Sequence, residues 1–133
     1  MVPHYVKLQC ESWKNIVDGK EPSIYVSEST YKKIMTILHF MIHPDLKKTL
    51  DESLEDYAMF FIIAVFCTKM IDPDDNVEVR YYKTAVLKIS RKNFKTFNAA
   101  VIFIILMIME PHFSRFFSVA PDLKLSKELQ IAL

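Results

Sequence analysis

The sequence predicts an all-α fold, a compact bundle of about five to seven helices. Two apolar runs carry most of that expectation: Tyr57 to Cys67 and Ala99 to Met109 hold no charged or strongly polar side chain. Each is longer than a typical strand and shorter than the ~20 residues of a membrane-spanning helix. A helix apolar on all sides must be buried on all sides, so both runs read as central helices. The third observation is the single glycine, Gly19, since tight two-residue hairpins favour glycine.

Taken in order, Pro3 suits the first turn of a helix, and Tyr5, Leu8, Trp13, Ile16 and Val17 follow helical spacing up to a stop at Gly19. Asp18 to Val26 reads as a loop. Ser27 or Ser29 can cap a second helix, with Tyr31, Ile34, Met35, Leu38, Met41 and Ile42 as its buried stripe and Pro44 as its end. Pro44 to Leu50 reads as a short helical turn. Asp51 is the expected cap of the first apolar helix, which should run to about Ile71, with Glu52, Glu55 and Asp56 suiting its dipole. Asp72-Pro73-Asp74-Asp75-Asn76 is turn chemistry.

From Val77 to Ser90 two patterns compete. Val77, Val79 and Tyr81 alternate like a strand, whereas Val79, Tyr82, Val86 and Ile89 fit a helix. Helix is the expectation, because a lone strand would have no partner. Ser90 should cap the last long helix, which Pro111 breaks. His112 to Ser118 and Ser126 to Leu133 read as short final helices. The two apolar runs begin at positions 57 and 99, near the period of HEAT-type repeats, so a short HEAT-like helical repeat is the alternative architecture. The chain reads as one helical domain, 1–133, whose ends suit a domain excised from a longer protein.

The composition excludes several functions. One glycine cannot build a phosphate-cradling loop or a G-x-G-x-x-G turn. Cys10 and Cys67 do not make a disulfide framework, and no N-x-Ser/Thr sequon or signal pattern occurs, which favours the cytoplasm or nucleus. His39 and His43 stand four apart, a spacing that can hold zinc on a helix face, but Phe40 stands where a metalloprotease needs glutamate and no third ligand is evident. Asp72, Asp74 and Asn76 match the first liganding positions of an EF-hand. Val77 and Lys83 then stand where its glycine and glutamate belong. Cys10 and Cys67 lack an activating histidine, and no serine sits in a G-x-S-x-G elbow. The expectation is therefore a non-enzyme with no cofactor, no metal and no small-molecule substrate.

Net charge is +1 but unevenly spread. Arg80, Lys83, Lys88, Arg91, Lys92 and Lys95 form an uninterrupted basic stretch, interleaved with Tyr81, Tyr82, Phe94 and Phe97, a mixture that nucleic acid favours. The bland account is a solvated outer face over buried rings. Phe113, Phe116, Phe117 and Trp13 lie outside the apolar runs and are the candidate anchors for a partner. By elimination, the function expected is protein–protein interaction, an adaptor or scaffold binding another protein or a second copy of itself through an apolar groove or patch, without a membrane. A nucleic-acid-associated domain using the basic stretch 80–95 is the alternative.

Overall fold

The structure, a computed structural model, describes residues 2–90 and 94–119. The chain forms two compact units, 1–86 and 87–133. The first holds α1 (His4–Val17), β1 (Ile24–Val26), α2 (Glu28–His39), α3 (Leu50–Ser53), α4 (Asp56–Cys67), β2 (Thr68–Ile71) and β3 (Glu78–Arg80). The second holds α5 (Lys95–Met109). The fold is therefore not all-α: among the described residues, five helices accompany a three-stranded antiparallel sheet of order β1-β2-β3.

α1 stops as its sequence demands. Gly19 adopts φ +73°, and the Gly19 N–H donates to the Ile16 carbonyl at 3.0 Å while the Lys20 N–H donates to Asn15 at 2.9 Å. This paired closure needs a left-handed residue, which glycine supplies without a Cβ clash. The apolar residues that follow helical spacing in α1 are not all buried. Ile16 is buried and Trp13 half-buried, but Tyr5, Leu8 and Val17 are exposed.

Ser27 caps α2, its hydroxyl accepting the Thr30 N–H at 3.3 Å. Ile34 and Leu38 point fully inward, while α2 packs against α3 and α4. The helix ends at His39, so Met41 and Ile42 leave the stripe assigned to them, and Ile42 is exposed. Pro44 bars helical geometry at His43, and the chain folds back instead. Ile42 bridges Thr49, the Leu50 N–H donates to Met41, and one turn, 44–47, lies between.

The helix expected from Asp51 to about Ile71 is divided. Leu54 and Glu55 are extended, so α3 and α4 are separate helices rather than one. No residue of α4 from Tyr57 onward is exposed, and Ala58, Ile62, Phe66 and Cys67 are buried. The helix then ends at Cys67 instead of Ile71, and Thr68–Ile71 becomes β2.

β2 pairs with a segment expected to be loop and a segment expected to be helix. Ile24, Tyr25 and Val26 face Met70, Lys69 and Thr68. Lys69, Met70 and Ile71 face Arg80, Val79 and Glu78 across the Asp72–Asn76 turn. The alternation of Val77, Val79 and Tyr81 was thus the true signal. The objection that a strand here lacks a partner fails because β2, directly after the apolar run, takes residues expected to continue the helix. From Tyr81 to Ser90 there is no helix.

In the second unit, Phe94 at φ 50° precedes α5 in place of the expected Ser90 cap. Asn98, Ala100, Val101 and Ile105 are the buried positions of α5. Glu110 is extended, as a residue before proline should be. The helix expected over 112–118 is absent: a turn closed by the Ser114 N–H on Pro111 gives way to irregular chain. The helix expected over 126–133 lies outside the described residues. The first run feeds a strand and the second ends at a proline, so the HEAT-like alternative is also overturned. Among the described residues, no helix is long and apolar enough to cross a membrane.

Ile62 is 1% exposed, whereas Phe61 is half-buried. Ile62→Ala should cost about 2–5 kcal/mol through lost burial and the cavity left behind. Phe61→Ala should cost less, and urea unfolding of both variants measures the difference.

Candidate interaction surfaces

The end of α5 determines the first surface. Pro111 stops the helix, and Phe113 follows in the left-handed region at φ 71°, uncommon for a bulky residue. That backbone turns its ring outward: Phe113 is 100% exposed and Phe117 78%. Val119 and, on the last turn of α5, Met107 and Ile108 are also exposed. Phe116 turns the other way, its ring edge-on to Phe103 at 6.3 Å. Between helix end and turn lies a concave pocket of ≈ 490 Å³, lined by Met107, Ile108, Pro111, Phe113 and Phe116 among others. Large apolar side chains displayed side by side around a concavity can receive an apolar partner.

Trp13 occupies a different setting, in the first unit. Its indole N–H donates to Thr68 Oγ1 at 3.0 Å, and its ring meets Phe60 edge-on at 5.3 Å. The ring is engaged with the sheet and α4, with only part of its surface open.

The basic residues are divided between the two units. Arg80 and Lys83 belong to the first unit, Lys88 and Lys95 to the second, and Arg91 and Lys92 lie outside the described residues. Arg80 is half-buried, its guanidinium 5.7 Å above the Phe66 ring, an attraction between cation and ring face. Lys83, Lys88 and Lys95 are exposed.

The chain matches no protein-family model, no curated protein and no solved structure. Its chemistry must be read from its own side chains.

The paired histidines part company. His39 ends α2, with Nδ1 3.0 Å from Asp51 Oδ2; the Thr49 hydroxyl, then His39, holds the Asp51 carboxyl below its ordinary value. His43 is buried four residues beyond. In the acidic turn, Asp72 Oδ1 accepts the Asp74 N–H at 3.0 Å, the use a turn makes of aspartate. Among the described residues, no three His, Cys, Asp or Glu side chains converge.

Two features escaped the sequence. Tyr25 on β1 donates its hydroxyl to Glu78 on β3 across the width of the sheet, which pushes the phenol up to about 12. Without the sheet, nothing in the sequence couples positions so far apart. Phe40, Ile42 and Leu46 form a second exposed apolar group around the 40–49 turn. Its signal was Pro44, which removes Met41 and Ile42 from helical register.

The two thiols differ in accessibility. Cys10 is exposed, and Cys67 is buried. Burial pushes the Cys67 thiol up to about 11. The thiolate is the reactive form, so one thiol per native chain should react with Ellman's reagent at pH 8. The second should react only after unfolding, and the absorbance time course in buffer and in denaturant measures both.

Proposed function

We propose that the chain is a non-catalytic protein–protein interaction module that binds a partner segment, or a second copy of itself, through the apolar patch at the end of α5. One observation carries the reading: exposed Phe113, Met107 and Ile108 line a pocket of ≈ 490 Å³, and Phe117 is exposed four residues beyond Phe113. Larger exposed apolar patches on a protein surface mark interaction sites. A buried aromatic anchor entering such a pocket dominates binding energy in typical interfaces. The two free thiols, Cys10 and Cys67, support a cytoplasmic or nuclear setting, where thiols stay reduced. No membrane and no small-molecule substrate enters this reading.

The decisive variant is Phe113→Asp with Phe117→Asp. Both rings are exposed, so the substitutions leave the core intact. Partner cross-links mapped by mass spectrometry to 107–119, or self-association seen in sedimentation, should disappear in the double variant. Its helical circular dichroism and melting temperature should stay close to those of the unsubstituted chain. Binding that survives both charges places the interface elsewhere, with Trp13 next in line.

A second reading is nucleic-acid association through the basic stretch, favoured by the exposed Lys83, Lys88 and Lys95. Counterion release makes such binding steeply salt-dependent. Titration with labelled single- and double-stranded oligonucleotides at low salt should show binding that falls sharply with added salt if this reading holds. No binding at tens of micromolar (roughly the weak end of non-specific affinity) removes it.

A further inference from the structure

His43 is 6% exposed and lies in the turn that follows α2. Its Nδ1 is 3.2 Å from the Asp45 nitrogen and 3.2 Å from the Leu46 nitrogen. A backbone N–H can only donate, so Nδ1 carries the lone pair that both share, and the neutral ring holds its proton on Nε2. Pro44 stands in the position where a helix begins, and the Lys47 N–H donates to the His43 carbonyl at 3.0 Å. The imidazole thus performs for this single turn the capping that Asn, Asp or Ser performs for a helix. The His43 N–H donates to the Lys48 carbonyl at 2.7 Å and closes the turn from the other side.

A proton on Nδ1 converts this acceptor into a third donor facing two donors. We infer that His43 is a proton-operated latch: neutral, it closes the turn over residues 44–48; protonated, it releases the Asp45 and Leu46 N–H groups. The latch governs a surface, because Phe40, Ile42 and Leu46 are exposed on this turn and its stems at 82%, 66% and 56%. Opening the turn rearranges these three side chains. The inference concerns the first unit and is independent of the patch at the end of α5.

Other charges stand on the adjoining elements. Asp45, Lys47 and Lys48 belong to the turn itself, His39 to the end of α2, and Asp51 and Glu52 to α3. His39 is the one other imidazole among them, and its Nδ1 lies 3.0 Å from Asp51 Oδ2. An adequate test must therefore separate the two histidines.

His43→Asn does so. Asparagine offers a carbonyl oxygen at the place of Nδ1, cannot be protonated in this range, and leaves His39 and Asp51 untouched. Amide hydrogen exchange of the full chain, corrected for intrinsic rates, is followed at Asp45 and Leu46 from pH 7.5 to pH 5, a span that brackets the ordinary imidazole value of about 6.5. In the unsubstituted chain, protection at both amides should fall about tenfold, the loss expected for a hydrogen-bond acceptor removed. In His43→Asn it should stay constant. In the unsubstituted chain, the ¹⁵N shift of His43 Nδ1 should change with the same midpoint as the loss of protection, a measurement that needs no variant. Protection that persists at pH 5, or that falls equally in His43→Asn, or a Nδ1 titration uncoupled from the two amides, overturns the latch.

Discussion

At Cys67 and Thr68 the chain leaves a helix and enters a strand with no loop between, and both residues are 0% exposed. Such a junction would strand buried polar groups unless neighbours satisfied them. The neighbours do. The Cys67 carbonyl accepts the Ser27 N–H at 2.7 Å, the Thr68 carbonyl accepts the Tyr81 N–H at 2.9 Å, and the Thr68 hydroxyl accepts the Trp13 indole at 3.0 Å. α1, the start of α2 and the residue that follows β3 are thereby tied to one point. Serine 27 serves twice there, since its hydroxyl caps α2 while its N–H closes onto Cys67. Removing any one contact leaves a polar group buried without water, which costs more than the contact itself stabilises.

That dependence explains where the sequence was legible and where it was not. Local chemistry was readable: Gly19 stops α1, Ser27 caps α2, Asp72 to Asn76 turns the chain, and Pro111 ends α5. Each of these signals acts within a few residues. The sheet depends instead on pairing between positions far apart, with Tyr25 opposite Lys69 and Lys69 opposite Arg80. Its strands have three or four residues, too few to establish an alternation against helical spacing. β2 was further disguised as the continuation of an apolar helix, because nothing between Phe66 and Met70 breaks a helix outright. Only tertiary pairing decides that Thr68 begins a strand.

The candidate surfaces were legible only in part. Phe113, Phe116 and Phe117 were expected on a short helix; the chain there is irregular instead, with Phe113 and Phe117 exposed and Phe116 against Phe103. That Trp13 would face Thr68 and Phe60 was not legible, since both partners come from a distant part of the chain. His43 was visible as a histidine near His39, and spacing suggested a shared helix face. Pro44 instead ends that regularity and gives the ring a backbone to hold, so the two histidines serve separate contacts.

The brevity of the sheet has a consequence for colloidal behaviour. β1 and β3 are the outer strands, each only three residues long. An exposed edge recruits other chains by offering a row of free N–H and C=O groups, and long flat edges are the seeds of fibrils. Here each edge is three residues long and ends against the Ser27 cap on one side and irregular chain from Tyr81 on the other. A chain that is 51% hydrophobic thus carries a sheet while denying a template to intermolecular strand growth.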